Sequence, residues 1–281
     1  MKEKTIKKIL SGKFESLLKS ITDEKVKEAM RNGTIITGGC IVSMLLNEDI
    51  GDFDIYFKDC ETAKIVVDYY INHFNPDKKY SIKVEKIDNK IKIKVKSSGI
   101  AVDESIPNDL NLDSETCYIK SDQKGKYKPI VLTSNAITLT DQIQLILRFT
   151  GSPEEIHKNY DFVHCKNYWT SWDNKLVLSK DALISILTKE LKYQGSLYPV
   201  CSMFRLRKFI KRGWNINAGE CLKIAWQISK LDLTNTEVLI EQLLGIDTHY
   251  FHQLITIMEK DKKENIIIDE LYIFDLINKV F

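Results

Sequence analysis

The chain has 281 residues, of which 43% are hydrophobic and 28% charged, the make-up of a soluble globular protein of one large or two modest domains. A formal net charge of +2 excludes a global attraction to nucleic acid and leaves any such role to a local patch. The six cysteines, at positions 40, 60, 117, 165, 201 and 221, form no C-x-x-C pair, which argues against a zinc site and for a reducing compartment. With no 18-residue apolar run and a charged MKEKTIKKIL start, the expectation is a cytoplasmic protein away from any membrane.

Residues 4–21 place Ile6, Ile9, Leu10, Phe14, Leu17, Leu18 and Ile21 on one helical stripe opposite lysines. Thr22 is positioned to cap a second helix that stops at Asn32-Gly33. Next comes TIITGGCIVSMLLNEDIGDFDIYFK, residues 34–58: an apolar run, the Gly38-Gly39 pair, a short apolar helix, and Gly51 opening onto Asp52-Phe53-Asp54-Ile55-Tyr56-Phe57. On a strand, Asp52 and Asp54 share one face while Phe53, Ile55 and Phe57 supply the other. Two carboxylates held that close repel unless a cation lies between them, and oxygen donors suit Mg²⁺ or Mn²⁺. Paired glycines ahead of a helix start let backbone N–H groups approach phosphate oxygens. Phosphate beside metal points to phosphoryl chemistry. The bland alternatives are a solvated Asp-x-Asp edge and an ordinary Gly-Gly turn, against which stand the apolar character of the strand and the strand-to-helix place of the glycines.

Gly38-Gly39, twelve intervening residues and Asp52-Phe53-Asp54-Ile55 together resemble the signature of the nucleotidyltransferase superfamily typified by DNA polymerase beta, poly(A) polymerases and CCA-adding enzymes. The position after the glycines, often Ser in that family, is Cys40 here, and Ser43, one helical turn on, is the candidate replacement. The resemblance implies two divalent metals, Mg²⁺ or Mn²⁺, held by Asp52 and Asp54, and an NTP substrate such as ATP whose phosphates lie on Gly38, Gly39 and Ser43. It also implies a third carboxylate in an apolar-acid-apolar strand beside the first two.

Further along, 61–74 reads as a helix ended by Asn75-Pro76-Asp77, and 81–87 with 90–96 as a hairpin around Asp88-Asn89. Lys92, Lys94 and Lys96 line one face of it, a solvated sheet surface or a phosphate contact. Residues 97–128 are polar and turn-rich, a long loop or small insertion. Apolar runs resume at 130–132 and 136–139, and 140–149 fits either an alternating strand or a helix started by Thr140-Asp141. Ser152-Pro153-Glu154-Glu155 starts a brief helix, after which Tyr160-Asp161-Phe162-Val163 reads as a strand. An acid there is costly to bury unless paired or metal-bound. Asp161 is the match for the third carboxylate that the resemblance implies, a capping or ion-paired aspartate being the alternative. His157, His164, His249 and His252 form no recognised metal set and are expected as satisfied structural histidines.

From Leu176 the pattern is helical. Ser179-Lys180-Asp181 opens a helix expected to reach Tyr193, Asn217 and Thr234 begin capping boxes, Asp247 caps a further helix, and 266–281 form the last. Within 203–214, Arg205, Lys208 and Arg212 fall on one helical line with Arg207 and Lys211 alongside, and Met203, Leu206, Phe209 and Ile210 are expected on the buried side. That face is either solvated surface or a triphosphate or nucleic-acid contact, with Phe204 placed to stack on a base.

The expected architecture is therefore α/β (α+β): a mixed nucleotidyltransferase-like sheet with flanking helices in residues 1–175, then a helical domain, 176–281, closing the nucleotide cleft. The resemblance implies transfer of an NMP from an NTP to an acceptor hydroxyl with release of pyrophosphate. Asp161 would bind the second metal and accept the proton, and an RNA 3′ end or tRNA would be the acceptor. A protein or small-molecule acceptor, and an inactive binding or assembly module of the same fold, are the alternatives.

Overall fold

A computed structural model describes residues 1–74, 81–87, 90–96, 116–118, 125–133 and 135–243, together with 257–258, 260–261, 271–272, 274–275 and 278. The chain divides into two compact units, Met1–Lys158 with Cys165–Ala182, and Asn159–His164 with Leu183–Phe281. The elements run in the order α1 (Glu3–Ser20), α2 (Glu24–Gly33), β1 (Thr34–Thr37), α3 (Gly39–Leu46), β2 (Phe53–Phe57), α4 (Cys60–Phe74), β3 (Ser81–Ile87), β4 (Lys90–Lys96), β5 (Thr116–Tyr118), β6 (Pro129–Thr133) and β7 (Ala136–Leu139). They continue with β8 (Ile143–Thr150), α5 (Pro153–His157), β9 (Tyr168–Thr170), β10 (Lys175–Val177), α6 (Lys180–Thr188), α7 (Pro199–Lys211), α8 (Ala218–Ile228) and α9 (Thr236–Leu243).

The first unit is a mixed α/β layer structure. Its eight-stranded sheet has the order β10-β9-β1-β2-β8-β7-β6-β5, with β2 and β8 parallel and the other described neighbours antiparallel. Because register partners share a face, Ile36, Ile55, Leu145, Trp169, Leu176 and Ile137 point to one side. There they join the apolar stripes of α1 (Ile6, Leu10, Phe14, Leu17), α2 (Val26, Met30), α3 (Ile41, Met44) and α4 (Val66, Val67) in one core. Phe14 packs on Trp169 at 5.4 Å between ring centroids. Ile91 and Ile93 of the separate β3-β4 hairpin enter the same core. The opposite face carries Thr37, Asp54, Gln144 and Tyr168, also in register.

Several local expectations are corrected. Asp23 rather than Thr22 caps α2, accepting from the N–H of Lys25 at 2.8 Å. Residues 143–150 are strand, entered through Asp141 and Gln142 at φ 59° and 60°, the left-handed pair that hairpin turns favour. Tyr160–Val163 is not a strand of the sheet; Phe162 makes a single antiparallel bridge to Tyr193. α6 ends at Thr188 because Lys189 turns left-handed, at φ 50°, and Leu191 then donates to the carbonyl of Asn215. Asn217 caps α8 as expected, but its box is half made, since Glu220 turns to the N–H of Tyr193. In α7, Met203 and Ile210 are exposed: the buried stripe follows Ser202 and Leu206, which leaves Met203, Arg207 and Ile210 together on the outer line.

Cys40, Cys60, Cys165, Cys201 and Cys221 are free, and no helix among the described residues is long and apolar enough to cross a membrane. Residues 97–115 and 119–124, Asp247, His249, His252 and most of 266–281 lie outside the described residues, as do the side chains of Lys92, Lys94 and Lys96.

Candidate active site

β1 ends at Thr37, and Gly38 then takes φ 93° and ψ −145°, a conformation a side chain would strain. That crank starts α3 at Gly39, so the first N–H groups of α3 have no partner within their own helix. A Cβ on Gly39 would meet no atom within 4 Å, which leaves open space over this turn for a ligand oxygen. Cys40 is buried and its thiol is raised, first by burial and then by the charge of Asp54. Asp54 therefore acts electrostatically on the first turn of α3. Ser43 lies a full turn inside the helix and is buried.

The same register explains that coupling. Thr37 pairs with Asp54, so the glycine turn and the entry to β2 lie at one end of the sheet. Asp54 is half-buried and also pairs with Gln144 of β8. Asp52 stands one residue before the strand and is exposed. Asp54, in register with the last residue before the glycine turn, and Asp52, two residues earlier, are oxygen donors of the kind that fits a Mg²⁺ ion, which takes one or two protein carboxylates and completes its shell with water and phosphate oxygens. Among the described residues no three His, Cys, Asp or Glu side chains gather as a metal set.

Asp161 belongs to the second unit, off the sheet. It is 6% exposed, and Nη1 of Arg205 donates to both carboxylate oxygens, at 2.8 and 2.6 Å. Its burial is thus balanced by an ion pair, the alternative raised for it from the sequence. Arg205 is turned to this acid, while Arg207, Lys208 and Lys211 of α7 are exposed and Arg212 is half-buried at the helix end. The five basic residues thus divide into Arg205, paired with Asp161, the exposed Arg207, Lys208 and Lys211, and the half-buried Arg212.

Of the two described histidines expected as satisfied structural groups in this region, His157 is one and His164 is not. His157, at the end of α5, is buried and its Nε2 lies 2.8 Å from Thr37 Oγ1. The Tyr168 ring packs on it at 5.6 Å. Burial, then the charge of Lys166, pushes its pKa down to about 4, with Glu154 opposing. In the second unit His164 is fully buried among Phe162, Phe209 and Trp214, and among the described residues neither of its ring nitrogens has a hydrogen-bond partner, nor has the indole N–H of Trp214. Only the capping box of Ser152 and Glu155, which anchors α5, left a trace of the His157 arrangement in the sequence.

A family profile described as Gabija anti-defense 2 family protein matches residues 8–189. The "Gabija anti-defense 2" protein of Bacillus phage SPbetaL7 is 23% identical over 286 aligned positions, covering 97% of this chain and 59% of the relative. The chain thus spans less than two thirds of that relative's length. Among solved structures, a CCA-adding enzyme of Thermotoga maritima complexed with tRNA superposes with a TM-score of 0.41 at 13% identity, covering 90% of this chain and 54% of that one. A CCA-adding enzyme of Bacillus stearothermophilus in complex with CTP gives 0.37 at 12% identity, with 79% and 47% covered. Both are loose likenesses.

Proposed function

The chain belongs to the Gabija anti-defense 2 family, and on that premise we propose that it acts in anti-defense as a metal-dependent nucleotidyltransferase. The reaction would move an NMP from an NTP to an acceptor hydroxyl and release pyrophosphate, with an RNA 3′ end or tRNA as acceptor. The observation that carries this reading is the pairing of Thr37 with Asp54, which brings the Gly38 crank, the open N-terminus of α3 and the two aspartates to one end of the sheet.

Asp52 and Asp54 would hold the cation, Mg²⁺ or Mn²⁺. When bound, it supplies neutralisation of triphosphate charge and a lowered pKa for the attacking hydroxyl. Gly38, Gly39 and the first turn of α3 would receive the phosphates, with Ser43 one turn behind them. Asp161 is assigned the second-metal and proton-accepting role; both its oxygens are engaged by Arg205, so the role requires the guanidinium to be drawn away, as an acceptor phosphate could do. Arg207, Lys208, Lys211 and Arg212 would contact that acceptor. Catalytic residues would then come from 1–175 and acceptor binding from the helical 176–281.

A second reading, a binding or assembly module without turnover, is favoured by the closed Asp161–Arg205 pair. Incubating the protein with each labelled NTP and Mn²⁺, first with total RNA and then alone, separates the readings. Label on RNA supports the acceptor proposed, label on protein redirects it, and no transfer with any NTP favours the module.

A further inference from the structure

Thr37 has one hydroxyl hydrogen and three close partners: Nε2 of His157 at 2.8 Å, the carbonyl of Asn167 at 2.8 Å and the carbonyl of Cys165 at 3.4 Å. The carbonyls can only accept, so the hydroxyl hydrogen goes to them, and Oγ1 must accept from His157. This assigns the Nε2–H tautomer to His157. The ring itself is fixed, being buried, carried by a capped α5 and packed by Tyr168.

What this bond steadies is the position that matters most to the site. Thr37 is the last residue of β1, held by backbone pairing to Asp54 on one side and Tyr168 on the other, and the next residue is the Gly38 crank. The bond to His157, 120 residues away, and that to Asn167 fix its side chain from outside the strand.

We propose that His157 is a positioning residue for the nucleotide site: by donating Nε2–H to Thr37 it holds the glycine turn and the start of α3 in the orientation that receives the triphosphate. The inference rests on the nucleotide-binding reading above. His157 touches neither substrate nor metal in this role; it acts through Thr37.

The test compares four variants with the wild type in titrations of a fluorescent NTP analogue with Mn²⁺, alongside thermal melting. His157→Leu removes the donor, whereas His157→Gln returns an N–H to nearly the place of Nε2. Thr37→Val removes the hydroxyl at constant shape, and the double variant combines Leu and Val. Expected are a loss of about tenfold in affinity for His157→Leu and for Thr37→Val, recovery to within about threefold in His157→Gln, and a double variant no worse than either single one. Affinity within about twofold of wild type in all four, whatever their melting temperatures, would overturn the proposal. If the wild type itself binds no NTP, the nucleotide-binding reading fails, and positioning is judged by amide exchange: faster exchange confined to the first turn of α3 in His157→Leu supports it, and unchanged exchange there overturns it. A ¹⁵N spectrum showing His157 protonated at Nδ1 would overturn it independently.

Discussion

His164 should make the protein acid-sensitive by an amount that can be worked out. It meets water only when the chain unfolds; in the fold, burial and then the charge of Arg212 push its pKa from 6.5 down to about 3. Between those two values the unfolded chain binds more protons than the folded one, so the stability His164 permits is complete above its unfolded pKa and declines as pH falls towards 3. At about pH 5 the difference is one and a half units at ~1.36 kcal/mol each, a loss of ~2 kcal/mol relative to neutral pH. His157, lowered to about 4, adds a loss of the same sign and similar size in the first unit, so the two must be separated. His164→Phe keeps an aromatic ring against Phe209 and Trp214, at 4.6 and 4.4 Å in the parent, and removes both unpartnered nitrogens. Urea unfolding followed by tryptophan fluorescence, at neutral pH and at about pH 5, should show the variant losing ~2 kcal/mol less than the wild type. An equal acid loss in both proteins would refute the assignment.

Gly38→Ala forces a side chain into φ 93° and ψ −145°, so it should cost ~1–3 kcal/mol in melting experiments and weaken NTP binding, whereas Gly39→Ala, with open space around its Cβ, should leave the fold intact. Arg205→Ala strands the carboxylate of Asp161; because the Arg205 side chain is 40% exposed, the expected cost is reduced to ~1–3 kcal/mol, and adding Asp161→Asn should return part of it in a double-mutant cycle. Replacing Arg207, Lys208 and Lys211 together by Ala should leave stability within ~0.5 kcal/mol per site and, if this face grips RNA, flatten the log-log salt slope of binding by roughly 0.7 for each phosphate no longer neutralised. An unchanged slope would make the face solvated surface.

The apolar alternation of β2 and the stripe of α1 announce a strand and a core helix because burial imposes those periods on the sequence, whereas the alternation of 143–149 competes with a helix start at Thr140-Asp141. The glycine turn was legible for a related reason: strand, Gly pair, helix and Asp-x-Asp are all local signals. Pairings between distant residues left no such mark. Arg205 lies 44 residues from Asp161, and nothing near either residue announces the other, so an aspartate flanked by aromatics reads from sequence as a third metal ligand, with a capping or ion-paired aspartate as the alternative. Thr37 and His157 are 120 residues apart and neither type is diagnostic alone. Sequence pattern carries α6 past its true end because Lys189, neither Gly nor Pro, takes the left-handed turn that stops it. Apolarity alone puts Met203 and Ile210 on the buried side with Leu206, but the line that α7 buries through Leu206 runs on to Ser202 and leaves both of them exposed.

The central claim is that Asp52 and Asp54 form a cation site serving a nucleotide on the glycine turn. Its most direct test is an electron paramagnetic resonance titration of Mn²⁺ with and without an NTP, on the wild type and on Asp54→Asn. Mn²⁺ binding should tighten when NTP is present and weaken by about tenfold or more in Asp54→Asn, compared at a temperature where both proteins are folded. Equal Mn²⁺ affinity in the two folded proteins, with NTP present, would contradict it.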